Sequence, residues 1–129
     1  MTLQHASLET RPGDVEAEVR FWGLLGFAPV QPPEGIAGRA AWVQSGTTQI
    51  HLLLADDPDV PRRGHVAVVA PAPYEDTVAA LRAAGVEVEP RTAHWGAPRA
   101  YVRSPGGHRV EIMAAAPVGV ELPTSLVDI

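Results

Sequence analysis

The stretch RAAWVQSGTTQIHLLL, at residues 39–54, recurs in related form as RAYVRSPGGHRVEIMA at residues 99–114. Each stretch holds two short runs of strand-forming residues around a glycine-containing turn, which is the pattern of a β-hairpin. When the two stretches are aligned without a gap, the matching pairs are Arg39 with Arg99, Ala40 with Ala100, Gly46 with Gly106, Ile50 with Val110, and His51 with Glu111. Two copies are too few for a solenoid, so we predict two copies of one small unit arranged as a pair.

The sequence upstream of each hairpin favours a strand followed by a helix. Residues 14–25 begin at Asp14, a good N-cap, and carry apolar side chains at helical spacing up to Gly26. The second predicted helix spans residues 74–84 and stops at Gly85. The predicted strands are residues 3–9, 40–44, 48–54, 65–70, 99–103 and 108–113. We interpret each copy as a strand, a helix and then three strands, a βαβββ module, in which the last two of the three strands are the hairpin.

The chain length of 129 residues fits one compact domain, or two half-size units that share a core. We predict a single domain of the α+β class. We assign residues 1–56 to module one and residues 64–115 to module two. The linker, residues 57–63, lies in a stretch that is rich in charge and contains two prolines. We expect the tail, residues 116–129, to be extended rather than helical.

Composition narrows the classes of function. The formal charge of −5 argues against nucleic acid or an anionic membrane as a partner, because phosphate binding needs a basic surface. No apolar run approaches the roughly 18–20 residues that span a bilayer, and the N-terminus has no export-signal pattern. We therefore expect a cytoplasmic protein. Because the chain has no cysteine, any metal must be held by imidazole and carboxylate groups.

Four residues of metal-ligating types occupy matched positions in the two copies. The spacing from His5 to His51 equals the spacing from His65 to Glu111, and the second pair follows the first at the same offset as the two hairpins. Strand alternation places all four on the polar faces of their strands. This spacing predicts a metal site between the two modules. Three imidazoles and one carboxylate suit one divalent transition metal per site: zinc, iron, nickel, cobalt or manganese.

The opposite strand faces are apolar, and we expect them to pack beneath the helices. The residues expected there are Ile50, Leu52, Leu54, Val66, Val68, Val110 and Ile112.

Short motifs in both copies resemble those of the vicinal oxygen chelate superfamily. It includes glyoxalase I, fosfomycin-resistance proteins, methylmalonyl-CoA epimerase, extradiol dioxygenases and bleomycin-resistance proteins. The matching stretches are His5, FWGLLGF (21–27), QIHLL (49–53), GHVAVV (64–69), LRAAGV (81–86) and SPGGHRVEIM (104–113). The resemblance spans residues 3–113. It implies two tandem βαβββ modules that form curved mixed sheets around a metal-binding cleft, with helices on the outer face.

The resemblance also implies a ligand set and an assembly. The superfamily places metal ligands on the first and fourth strands of each module, which here are His5, His51, His65 and Glu111. His5, His65 and Glu111 match the recurring set of two histidines and one carboxylate. His51 departs from it, because glyoxalase I usually has a carboxylate there and the epimerase has an amide. Small two-module members commonly complete each site with strands from two chains, so a homodimer with sites at its interface is implied.

Other side chains are candidates for binding a small-molecule substrate. They are Trp42, His94, Trp95, Arg99, Tyr101 and Arg109. Arg99 or Arg109 could hold a substrate carboxylate or phosphate, and an ion pair with an acidic side chain is an equal alternative. We expect His108, which follows a Gly-Gly turn, to be exposed.

Three functions fit these observations. The favoured one is a metal-dependent lyase, isomerase or epimerase that chelates a small oxygenated metabolite, with Glu111 as the remaining candidate for the catalytic base. The second is a metal-dependent dioxygenase. The third is a metal-free protein of the bleomycin-resistance type that sequesters an antibiotic or metabolite. Oxygen uptake and metal content distinguish the three.

Overall fold

The computed structural model describes residues 1–119 and 121–123. The strands are β1 (His5–Thr10), β2 (Ala28–Val30), β3 (Ala40–Ser45), β4 (Thr48–Leu54), β5 (Val66–Val69), β6 (Glu89–Arg91), β7 (Arg99–Arg103) and β8 (Arg109–Met113). The helices are α1 (Val15–Leu24) and α2 (Tyr74–Ala83), and a short 3-10 turn, Pro12–Asp14, precedes α1. Residue 120 and residues 124–129 of the expected extended tail lie outside the described residues.

The strands form two four-stranded mixed sheets with the same topology. The first sheet has the order β1-β4-β3-β2, and the second has the order β5-β8-β7-β6. In each sheet the first and fourth strands pair in parallel and the remaining pairs are antiparallel. Parallel neighbours need a crossover connection, and a helix follows the first strand of each sheet. The prediction of two tandem βαβββ modules in an α+β fold is confirmed.

The apolar faces of both sheets contribute to one core with the helices. Trp22 of α1 and Leu81 of α2 are fully buried in that cluster. The sheet residues buried with them include Ile50, Leu52, Val110 and Ile112, while Val66 and Val68 are partly buried against the cluster. The expected apolar face is therefore confirmed apart from Leu54, which ends β4 and is 37% exposed.

The two predicted helix stops are correct, but the predicted cap is not. Gly26 and Gly85 have φ angles of 90° and 84°, the left-handed conformation that commonly ends a helix. Asp14 caps no backbone N–H with its side chain. Its own backbone is already helical because the 3-10 turn brings its N–H to the Arg11 carbonyl at 2.9 Å. A side-chain cap requires an extended backbone at that residue.

The structural repeat differs by one residue from the match in the sequence. Trp42 pairs with His51 across the first hairpin, and Tyr101 pairs with Glu111 across the second. Trp42 therefore corresponds to Tyr101, whereas the gapless alignment of the two hairpins matches Trp42 with Val102, so Arg39 and Arg99 are not equivalent. The cause is the turn, since four residues separate the paired Gln44 and Gln49 while five separate Arg103 and Arg109.

Within the described part of the chain, neither helix is long and apolar enough to cross a membrane.

Candidate functional site

The polar face of the second sheet brings two candidate ligands into contact. Glu111 lies in the middle of β8, and His65 immediately precedes β5, the parallel neighbour of β8. His65 Nε2 lies 3.1 Å from Glu111 Oε1. Two donors bound at about 2.1 Å to one ion, at tetrahedral to octahedral angles, lie roughly 3.0–3.4 Å apart. The spacing of this pair therefore fits two ligands of one ion.

The hydrogen bonds of His65 strengthen this fit. Its Nδ1 lies 2.9 Å from the carbonyl of Arg63, which can only accept a hydrogen bond, so Nδ1 carries the proton. In the neutral ring, Nε2 then presents a lone pair to a carboxylate oxygen of Glu111. Two acceptors at that distance need a second proton or a cation between them. A backbone carbonyl on the far ring nitrogen is also how metal-bound histidines are commonly oriented.

The other oxygen of Glu111 is held by Arg99. Arg99 donates from Nη1 to Glu111 Oε2 at 3.2 Å, and the two side chains are 9% and 8% exposed. Hydrogen bonding to Tyr101, followed by the contacts with Glu111, raises the pKa of Arg99 above its ordinary value. The ion-pair alternative for Arg99 thus applies, with Glu111 as the acid. Glu111 has one oxygen bound to Arg99 and one directed at His65.

The first sheet holds its two candidate ligands in a stack of three rings. The His51 ring lies between those of Trp42 and His5, with centroids 4.0 Å from each. His51 Nε2 also lies 2.8 Å from Gln49 Oε1. Burial, and then the nearby His5, lower the pKa of His51, which favours the neutral ring that a metal ligand must present. His5 and His51 are neighbours, but their rings are parallel rather than directed at one point.

The four candidate ligands therefore meet in two pairs, one on each sheet. Among the described residues, no group of three or more histidine and acidic side chains converges in a way that could hold a metal. Each module of one chain supplies half of the predicted ligand set.

The remaining candidates lie on the second sheet, in the ring stack of the first sheet, and in the loop between β6 and β7. Arg99, Tyr101 and Arg109 lie on the Glu111 face of the second sheet, where the guanidinium of Arg109 stands 4.6 Å from the centroid of Tyr101. Trp95 lies 5.5 Å from the Arg99 guanidinium and donates from Nε1 to the Ala115 carbonyl. The other two candidates are Trp42, which stacks on His51, and His94, which is exposed in the loop before β7.

Three further side chains contact the candidate groups and were not among the sequence candidates. Gln4 Oε1 lies 2.5 Å from Nδ1 of His5. Gln49 bonds His51 and also donates to Gln44 at 2.7 Å. Its position two residues before His51 on one strand could have indicated this contact. Arg91 stands 5.2 Å from the Tyr101 centroid. It lies on a three-residue strand that the sequence pattern does not reveal.

His108 is buried, so the expectation that it is exposed is wrong. It is 3% exposed, and its Nε2 donates to the Glu9 carbonyl at 2.7 Å. Beside it, Ser104 donates to Glu18 Oε1 at 2.8 Å. These contacts join the β7–β8 turn of module two to β1 and α1 of module one. His108 is buried because the two modules pack together at this turn. A local sequence pattern does not indicate such a contact.

Comparison with known proteins identifies the class. A sequence model of the Glyoxalase/Bleomycin resistance protein/Dioxygenase superfamily matches residues 2–112. The chain belongs to that superfamily. The resemblance stated from its motifs is therefore confirmed. Among curated proteins, no sequence matches this chain significantly.

Solved structures share the fold. A Bacillus anthracis protein assigned to the glyoxalase family superposes with a TM-score of 0.77 at 24% identity, covering 88% of this chain and 93% of its own. A glyoxalase/dioxygenase from Nostoc punctiforme superposes with a TM-score of 0.71 at 17% identity, covering 87% of this chain and 89% of its own. Lactoylglutathione lyase from Agrobacterium tumefaciens superposes with a TM-score of 0.66 at 20% identity, covering 87% of this chain and 92% of its own. At these identities the likeness establishes the fold.

Proposed function

We propose that this protein is a metal-dependent enzyme of the superfamily that acts on a small oxygenated metabolite, in a reaction of the lyase, isomerase or epimerase type. The observation that carries the proposal is the approach of His65 Nε2 to Glu111 Oε1 at 3.1 Å, two acceptors that need a cation or a proton between them. A divalent metal bound there would act as a Lewis acid toward a chelated substrate oxygen.

The proposed site takes its ligands from two chains. Each module presents a pair of candidate ligands, and no larger cluster forms among the described residues of one chain. A second copy of the chain supplies the missing pair if module one of one chain faces module two of the other. This arrangement is a homodimer with two equivalent sites, the commonest symmetry of soluble oligomers.

The groups around Glu111 and His65 have separate roles in this proposal. Arg99 holds Oε2 of Glu111, so Oε1 is the oxygen left to bind a metal or to accept a proton from the substrate. Arg63 fixes the tautomer of His65 through its carbonyl. Tyr101 forms the wall beside them, since its ring meets that of His65 edge-on with centroids 5.2 Å apart.

The metal content of two variants tests this proposal. Glu111→Gln preserves the shape of the side chain but removes its charge, so the bound divalent metal should fall by at least tenfold. The matched control is Glu34→Gln, since Glu34 is an exposed carboxylate in a loop outside the site. Elemental analysis of both purified variants and the wild-type protein measures the effect. Equal metal content in the Glu111 variant and the control would show that Glu111 is not a ligand.

One observation favours a second candidate, a metal-dependent dioxygenase. His51 is enclosed between Trp42 and His5, and its Nε2 is already bonded to Gln49. If His51 stays in that stack, the ligands that remain are His5, His65 and Glu111, a set of two histidines and one carboxylate that suits iron(II) oxygenases. Oxygen uptake that requires added iron(II) and a catecholic or enolic substrate would favour this candidate. Turnover without oxygen would favour the lyase or isomerase.

A further inference from the structure

Positive charge is concentrated on one face of the second sheet. The chain has ten basic residues, all of them arginines, and four lie on β6, β7 and β8. These four are Arg91, Arg99, Arg103 and Arg109. The strand register places all of them on the face that carries Glu111. The corresponding strands of the first sheet, β2, β3 and β4, contain no charged residue, so this charge belongs to module two alone.

Two of the four arginines are neutralised by acids. Arg91 pairs with Glu89 at 2.7 Å, and Arg99 pairs with Glu111 at 3.2 Å. Arg103 instead donates to two backbone carbonyls, those of Gly107 and Arg62. Arg109 rests over the Tyr101 ring. Among the described residues, neither Arg103 nor Arg109 has an acidic group within ion-pair distance.

Arg103 and Arg109 lie directly opposite each other on β7 and β8. Like charges in that position destabilise a sheet, because neighbouring strands hold the two side chains close together. The equivalent positions of module one are Gln44 and Gln49, which are neutral and hydrogen-bonded to each other at 2.7 Å. The fold therefore accommodates an uncharged pair at this place, and module two has a charged pair that costs stability.

The two arginines line a cavity of about 210 Å³ together with Tyr101, Val102, Glu87 and Glu89. The charge of Glu89 is balanced by Arg91, which leaves two arginines against Glu87 and a net charge of +1. The phenol of Tyr101 adds a hydroxyl donor to the wall. A small cavity lined by two arginines and a tyrosine is suited to an oxygen anion, since guanidinium groups bind carboxylate and phosphate through paired hydrogen bonds.

We infer that Arg103, Arg109 and Tyr101 form a binding site for one oxyanion group, a carboxylate or a phosphate, carried by the substrate. The assignment of this group to the substrate rests on the proposed function, whereas the anion site itself does not. Arg109 precedes Glu111 by two residues on the same face of β8, a separation of roughly 7 Å along the strand. A substrate anchored there would present its other oxygens to the His65 and Glu111 pair. The substrate class is thus a small anionic metabolite rather than a neutral one.

Titration with simple anions tests the inference. Inorganic phosphate and acetate are titrated into the full-length protein by isothermal calorimetry at low ionic strength, with and without a chelator. Saturable binding of at least one probe is expected in both conditions, and the stronger probe identifies the anion. Arg109→Gln and Arg103→Gln, which reproduce the glutamines of module one, should each weaken binding about tenfold, the scale of one charge-assisted hydrogen bond.

Arg20→Gln is the matched control, because Arg20 is an exposed arginine on α1. It should leave anion binding unchanged. The two glutamine variants should remain folded, since the equivalent positions of module one are occupied by glutamines. The inference fails if neither probe binds, or if Arg20→Gln weakens binding as much as Arg109→Gln. Anion binding that persists in protein without metal would leave this site intact even if the proposed metal centre were disproved.

Discussion

Glu18 is a carboxylic acid buried between the two modules and away from the candidate ligands. Its side chain is fully buried, and it accepts a hydrogen bond from Ser104 on one oxygen. Its other oxygen has no partner among the described residues. Desolvation raises the pKa of Glu18 above its ordinary value of 4.5, although the Ser104 hydrogen bond and the nearby His108 oppose the shift. The folded protein therefore holds the proton of this group more tightly than the unfolded chain does.

This shift predicts a specific dependence of stability on pH. A pKa that is raised on folding stabilises the protein below the unfolded value, and that contribution is lost as pH rises through the folded value. The loss is roughly 1.4 kcal/mol for each pH unit between the two values. Glu18→Gln keeps an acceptor for Ser104 and cannot ionise, so it should lack this loss. Urea unfolding at pH 4 and pH 7 measures the difference between variant and wild type.

Glu16→Gln on the same helix is the control, because Glu16 is exposed and should leave the pH dependence of unfolding unchanged. If Glu18→Gln and the wild-type protein lose the same stability between the two pH values, the burial of Glu18 does not make the stability of the protein depend on pH.

At the scale of elements, strand alternation made much of the fold and of the site predictable from the sequence. The alternation of β4 and β8 indicated which side chains face the helices and which face the candidate site, since a strand has only two faces. It placed His51 and Glu111 on the polar faces, and Ile50 and Ile112 in the core, where both isoleucines lie. Leu54 is the exception, because it ends its strand.

What could not be predicted depends on turns and on contacts between elements. One extra residue in the β7–β8 turn makes Tyr101 the counterpart of Trp42, and an alignment of the hairpins without a gap hides that relation. The burial of His108 follows from packing of this turn on β1 of the other module. The contact between Arg99 and Glu111 spans two neighbouring strands, so it requires the register that the turn sets.

At the scale of the whole molecule, the two modules share a topology but differ in their polar faces. The polar face of the first sheet is rich in rings and amides, with Trp42, His51 and Gln49 in contact. The charged residue on its strands is Glu9 of β1. The face of the second sheet carries Glu111 and four arginines. If the two faces meet across a dimer, module one supplies His5 and His51, while module two supplies His65, Glu111 and the anion site.

In the proposed dimer, each metal site combines module one of one chain with module two of another. Co-expression of two defective chains tests this arrangement. One chain carries His5→Ala and His51→Ala, and the other carries Glu111→Gln. Each homodimer should lack metal, whereas the heterodimer would contain one site with all four ligands. With random pairing, half of the dimers are heterodimers with one of two sites intact, so about a quarter of the wild-type metal content should return.

Separate affinity tags allow the heterodimer to be purified and its metal measured directly by elemental analysis. We predict about one divalent ion per heterodimer and almost none in either parent homodimer. A heterodimer as free of metal as its parents, beside a wild-type protein that binds metal, would contradict the claim that the sites are shared between chains.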